Sequence, residues 1–111
     1  VAKRTKPDGS PDDIPLYIKE SWGLMYGKGH TCEEHNHWPS LWSYTYSVEA
    51  CKECAPLIFN DSDERDDGGT PLHIFPETGQ LIVFPAWLNH SVPKQECEHQ
   101  RVMVAGNLNV K

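Results

Sequence analysis

The sequence predicts an all-β domain of about eight strands arranged as two packed sheets. Three observations carry this. No segment keeps a helical period, so no helix longer than about two turns is expected. Turn residues (Gly, Pro, Asn and Asp) interrupt the chain at short intervals. Apolar residues fall in short runs, or alternate with small polar ones as strand residues do. At 111 residues the chain can bury one core, which makes one domain. A sandwich, a jelly roll and a closed barrel are the architectures open to it.

The elements follow in order. Residues 1–14 are polar and punctuated by Pro and Gly, and read as an extended N-terminal arm. The domain proper is expected over 15–111. Leu16 to Tyr26 reads as one or two strands, closed by the turn Gly27-Lys28-Gly29. His30 to His37 is a short strand running into a loop at Trp38-Pro39-Ser40. Trp42, Tyr44, Tyr46 and Val48 then alternate with Ser43, Thr45 and Ser47, a strand with one aromatic face. Pro56 to Phe59 is another strand. Asn60 to Thr70 is a long acidic loop whose spacing does not match a calcium-binding EF-hand, so a solvated loop is expected. Leu72 to Phe75 is a strand and Pro76-Glu77-Thr78-Gly79 a turn. Leu81-Ile82-Val83-Phe84 is apolar at every position and predicts a strand buried on both faces. Ser91 to Lys94 is a short strand, and Arg101 to Val110 the last long one.

Lys and Arg total 10 against 16 Asp and Glu, a net charge of −6. Such a surface repels a phosphate backbone, so no nucleic-acid partner is expected. No apolar run reaches the roughly 18 residues of a membrane helix, so no membrane partner is expected either. VAKRTKPDGSPDD has no apolar core of a signal peptide. The expectation is a cytoplasmic protein acting on small molecules, with a homodimer as one possible assembly. Cys32, Cys51, Cys54 and Cys97 then read as reduced thiols near strand ends, unnecessary for any metal site. Two alternatives stay open for the CxxC of Cys51 and Cys54. One is a structural zinc site shared with Cys32 and Cys97; the other is a redox dithiol.

Chemistry enters with the histidines. His35 and His37 are two apart at a strand end, and residues so spaced in extended backbone share a face. Two imidazoles can therefore converge on one ion. His90, after the apolar strand and the turn Pro85-Ala86-Trp87-Leu88-Asn89, is the natural third ligand. Three neutral imidazoles suit iron, zinc, copper or nickel, and spacing does not choose among them. The plain alternative is that His35-Asn36-His37 is an ordinary polar strand end.

Two segments have the spacing of cupin motifs. Gly29, five residues, then His35-Asn36-His37 opens like the first. Gly79, five residues, then Pro85 through His90 is spaced like the second. Trp87 stands where a second glycine is usual, and the glutamate of the first motif is missing. The chain thus resembles the cupin-like double-stranded β-helix, or jelly-roll, class. A closer resemblance is to a family of 2-oxoglutarate/Fe(II) oxygenases common in marine bacteria and their phages. It is carried by Trp22, Gly29, His35, His37, Tyr46, Gly79, Leu81, Phe84, Pro85, Trp87, His90, Val92, Pro93, Arg101 and Asn107. Trp38 is inserted between the HxH and Pro39. The match spans roughly 20–110, and its FPxWxxH segment is the specific part.

The resemblance implies Fe(II), with Zn or Ni as substitutes in purified protein, held by His35, His37 and His90. It also implies 2-oxoglutarate as cosubstrate, bound by Arg101 with Tyr46 and Asn107. Arg101 lies eleven residues after His90, and a guanidinium grips a carboxylate with two parallel hydrogen bonds. The alternative for Arg101 is a strand-start residue facing water. No residue beyond the metal site is expected to be catalytic. Trp38, Trp42 and Trp87 are the candidates for substrate contact, and wall packing is their plain alternative. The family's iron site is ordinarily two His and one carboxylate. Here His37 takes the carboxylate's place, unless Glu33 or Glu34 contributes one.

The implied activity is hydroxylation of an unknown substrate by a 2-oxoglutarate- and Fe(II)-dependent dioxygenase. Two other readings stand beside it. One is a three-histidine cupin enzyme that does not use 2-oxoglutarate; the other is a non-catalytic metal- or ligand-binding domain of the same fold.

Overall fold

The computed structural model describes residues 2–5, 7–8, 11–60 and 71–110. Its strands are β1 (Ala2–Thr5), β2 (Pro11–Ile14), β3 (Leu16–Tyr26), β4 (Cys32–His35), β5 (Trp42–Glu49), β6 (Leu57–Asn60), β7 (Leu72–Ile74), β8 (Leu81–Pro85), β9 (Asn89–Val92) and β10 (Arg101–Val110). No helix occurs among the described residues. The expected acidic loop lies, from residue 61 to 70, outside them.

Eight strands form two antiparallel four-stranded sheets. The larger has the order β3-β10-β5-β8 and the smaller β4-β9-β6-β7. The chain passes between them at nearly every step, with β6 and β7 alone following each other in one sheet. That alternation makes the double-stranded β-helix. Within the predicted arm, β1 and β2 pair antiparallel, Ala2 opposite Ile14, so this stretch is a hairpin.

Side-chain alternation decides what each sheet presents inward. On β5 it is Ser43, Thr45 and Ser47 that are buried, while the aromatic face points out. Small inward side chains there leave room between the sheets. On β10 the inward set is Arg101, Met103, Ala105 and Asn107, all buried. The core proper joins Ala55, Leu57, Phe59, Phe84 and Val92, with Cys32, Ile74, Ile82 and Leu88 packed against it. Phe59 and Phe84 meet edge to face at 4.9 Å. Burying each such ring contributes about 1.5–3 kcal/mol.

β8 departs from expectation. It is an edge strand, paired with β5. Ile82 and Phe84 face the core, but Leu81 and Val83 point outward and are 60% and 52% exposed. Continuous apolarity suggested cover on both faces, and no described element supplies it on the outer one. The turn before β8 depends on Gly79, whose φ of 85° lies in the left-handed region. Its N–H donates to the Ser47 carbonyl at 2.7 Å, seating the turn on β5.

Candidate metal centre

His35 and His90 are direct cross-strand partners between β4 and β9. His37 reaches them differently from the expected shared strand face, because β4 ends at His35. It lies in the loop that follows, where its N–H donates to the Ala86 carbonyl at 2.8 Å. Ala86 N–H in turn donates to the Leu41 carbonyl at 3.2 Å, and Ser40 N–H to the His37 carbonyl at 2.9 Å. These bonds tie the β4–β5 loop, with its cis Trp38–Pro39 bond, to the turn before β9. The ring centroids stand 4.4 Å apart for His35–His90, 4.9 Å for His35–His37 and 5.1 Å for His37–His90. Each ring offers a nitrogen, and these nitrogens lie within 4.8 Å of one another.

The tautomers follow from the hydrogen bonds. A carbonyl only accepts, so the Nδ1 that faces one carries the proton. His35 Nδ1 donates to the Glu33 carbonyl at 2.7 Å, and His90 Nδ1 to the Leu88 carbonyl at 3.0 Å. Both rings are left with Nε2 as the free donor atom. Such carbonyl contacts orient metal-binding histidines and raise their basicity. Burial pulls the pKa of His90 down to about 4, with His35 and His37 adding to the effect. His37 is also lowered, by burial and by His35. Neutral imidazoles are the form a cation requires.

A cavity of about 120 Å³ opens on the three rings, between Trp22, Tyr26, Ser43, Thr45, Phe84 and Met103. Tyr26 is pushed up to about 12 by burial and by the neighbouring Cys32, so its hydroxyl stays a neutral donor. Arg101 is 2% exposed and points inward opposite Tyr26, its register partner. The guanidinium sits 5.5 Å from the Tyr26 ring centroid, and one terminal nitrogen donates to the Ala55 carbonyl at 2.7 Å. Tyr26 lines the cavity and Arg101 is not among its lining residues. The Arg101 Nε is buried without a partner.

The remaining candidates fall elsewhere. Tyr46 is on the outer face of β5 and 41% exposed, which takes it away from the cavity. Asn107 is buried but committed: it accepts from Ser43 Oγ at 2.7 Å and donates to Glu20 Oε1 at 2.8 Å. Trp38, Trp42 and Trp87 are 72%, 37% and 57% exposed, and none lines the cavity. Trp38 and Trp87 do flank the backbone that holds His37. Glu33 and Glu34 are exposed, and Glu34 accepts from Asn60. The carboxylate that acts on His37 is instead Glu20, which raises its pKa against the other effects. Sequence reasoning passed over Glu20, Tyr26 and Trp22 as site residues. They lie at even spacing on one face of β3, with Leu24 between Trp22 and Tyr26, and a shared face alone does not say that it meets the histidines.

The cysteines divide. Cys32 lines the histidine cavity, its Sγ 3.7 Å from His35 Nδ1. Cys51, Cys54 and Cys97 form a second group whose sulfurs lie within 4.8 Å of one another. The four-cysteine arrangement considered from sequence is therefore not what the fold assembles.

Comparison with known proteins gives a family. Residues 20–107 match the family described as "Putative 2OG-Fe(II) oxygenase". No curated protein matches the chain. Among solved structures, a 2OG-Fe(II) oxygenase family oxidoreductase from Burkholderia pseudomallei superposes with a TM-score of 0.74 at 13% identity. The alignment covers 88% of this chain and 47% of that one. A prolyl-4-hydroxylase from Pseudomonas putida gives 0.67 at 15% identity, covering 85% and 55%. HygX from Streptomyces hygroscopicus, with nickel and 2-oxoglutarate bound, gives 0.62 at 13%, covering 86% and 58%. These likenesses show the shared fold. The chain spans about half the length of these proteins.

Proposed function

The chain belongs to the 2OG-Fe(II) oxygenase family, and we propose that it is a 2-oxoglutarate-dependent dioxygenase that hydroxylates a small-molecule substrate. The observation that carries the reading is the convergence of His35, His37 and His90 on one cavity, with two Nε2 atoms freed by carbonyl bonds. The donor set fits a transition metal, and imidazole suits Fe(II). When bound, the iron supplies activation of dioxygen, with 2-oxoglutarate as the electron source.

The protein's part is binding and exclusion. The three imidazoles hold the metal. Phe84, packed 4.9 Å from His90, and Phe59 beyond it keep water from that side. Arg101 and Tyr26 receive the carboxylate of 2-oxoglutarate remote from the metal. An unpartnered buried Nε costs stability until an acceptor arrives, which supports Arg101 as the receiving group. Tyr26 lines the cavity and would donate its neutral hydroxyl to that carboxylate, while the Arg101 guanidinium, 5.5 Å from the Tyr26 ring, would supply the positive charge beside it. Trp38 and Trp87, exposed beside the His37 loop, would meet a second substrate at the surface next to the cavity.

Titration calorimetry on iron-loaded protein, kept free of oxygen, tests this. Arg101→Ala should retain the metal and weaken 2-oxoglutarate binding by about 1.5–3 kcal/mol, the worth of a charge-assisted bond. Arg101→Lys should recover part of that loss, because an ammonium lacks the planar fork. Absence of 2-oxoglutarate binding in the wild-type protein would reject the proposal. The three-imidazole set then favours a cupin enzyme that uses no 2-oxoglutarate.

A further inference from the structure

The second group of metal-ligating side chains stands apart from the histidines. The Sγ atoms of Cys51 and Cys54 are 3.2 Å apart, those of Cys51 and Cys97 3.6 Å, and those of Cys54 and Cys97 4.0 Å. Thiolates about 2.3 Å from a tetrahedral zinc ion are held roughly 3.8 Å from one another. The three spacings straddle that value. They are far from a disulfide's roughly 2.05 Å, and all four cysteines are free.

Two loops build the group. Cys51 to Cys54 is a tight turn after β5, closed by Cys54 N–H to the Cys51 carbonyl at 3.2 Å. Cys97 lies on the β9–β10 connection. Two N–H groups point at the Cys54 sulfur, the Cys51 amide at 3.2 Å and Gln95 Nε2 at 3.6 Å. Such N–H···S contacts are the outer bonds that orient a metal-bound sulfur. His99, two residues after Cys97, completes the spacing CxxC…CxH. Its carbonyl accepts from Gln95 Nε2 at 3.2 Å, and its Nε2 is buried without a partner.

We propose that Cys51, Cys54 and Cys97, with His99 swinging in as fourth ligand, bind a structural zinc ion that staples the turn after β5 to the β9–β10 connection. Charge supplies an independent argument. Arg101 is a buried guanidinium whose only described hydrogen bond goes to a neutral carbonyl. Tyr26, and after it Cys54 and Cys97, lie close enough to act on its charge. Three thiolates and a neutral imidazole around Zn²⁺ carry a net charge of −1, a counter-charge that neutral thiols cannot provide. A buried cation without one is costly. The same layer continues through Gln95 Oε1, which accepts from Ala55 N–H at 3.1 Å, to the Ala55 carbonyl that holds Arg101.

The test removes the histidine centre first. His35→Ala/His90→Ala protein, purified under reducing conditions, should retain one zinc per chain by elemental analysis. Adding Cys51→Ser and Cys54→Ser should abolish it. Cobalt(II) exchanged into the histidine-free variant should show thiolate-to-metal charge-transfer absorption and the intense visible bands of a tetrahedral ion, which nitrogen ligands alone do not give. Should the cysteine variant not fold, a thiol-specific mercurial titrated into the histidine-free protein reads the same site. Zinc should then pass to a chromophoric chelator in step with thiol modification. His99→Ala should keep the charge-transfer bands and lose zinc to the chelator faster. Equal loss rates would strike His99 from the ligand set. Histidine-free protein with neither zinc nor thiolate–cobalt bands, or holding a Cys51–Cys54 disulfide in place of metal, overturns the proposal. None of these outcomes depends on 2-oxoglutarate.

Discussion

His90 shows how one side chain ties stability to acidity. In the metal-free protein its pKa is about 4, against 6.5 for an ordinary histidine. Between those values the unfolded chain binds a proton that the folded chain refuses, so stability falls as pH drops through that range. Above about 6.5 the contribution is fully present; below about 4 no more is lost. Denaturant titrations of metal-free protein should show a midpoint that declines from pH 6.5 to 4, and His90→Gln should flatten the decline. A midpoint independent of pH would mean that the ring is hydrated. Bound metal competes with the same protons, so the histidine centre should release its ion over a similar range. His35, His37 and His90 were legible in the sequence from the HxH pair and the motif around His90. Glu20 and Tyr26 were not, because cross-strand register with Asn107 and Arg101 brings them to the site. No local pattern records that pairing.

At the scale of elements, the strands were largely readable and their faces less so. β5 is the instructive case. Its alternation predicted a strand with one aromatic face, and it is the other face, of Ser43, Thr45 and Ser47, that meets the core. Period two fixes which residues share a face and leaves open which face is buried. The outer face has its own packing. Tyr44 lies across Gly106 of β10 and donates from its hydroxyl to Ser21 Oγ of β3 at 3.2 Å. A Cβ on Gly106 would come within 2.5 Å of the Tyr44 ring. Gly106→Ala should therefore cost about 1–3 kcal/mol by overpacking. Tyr44→Ser should relieve most of that, so the double variant should be more stable than the two single losses imply. Gly79→Ala isolates a different cost. Its φ is 85° and a Cβ there meets nothing within 4 Å, so backbone strain alone should remove about 1–2 kcal/mol in thermal or chemical unfolding. An apolar run such as Leu81–Phe84 was ambiguous for a related reason: apolarity reports what a strand could bury, not what lies against it.

For the molecule as a whole, the fold class was legible because strand count, turn spacing and the two histidine motifs all pointed one way. The order of strands was not, since it is set by long-range pairings such as Leu16 with Val110. Core substitutions should act globally. Phe84→Ala, at the junction of both sheets and 4.9 Å from His90, should cost about 3–5 kcal/mol. That is a large share of the roughly 5–15 kcal/mol of a typical domain, and metal retention should fall with it in a thermal melt. The position of β10 has a consequence in time. It is the last described strand to leave the ribosome, yet it sits between β3 and β5. Every strand of the smaller sheet, with all three histidines, is synthesised before it. A chain synthesised as far as residue 95 therefore carries His35, His37 and His90 while β5 is paired with β8 on one side only and β3 has no partner strand. A ribosome paused just before β10 leaves β3 and β5 as two open edges awaiting one late insert.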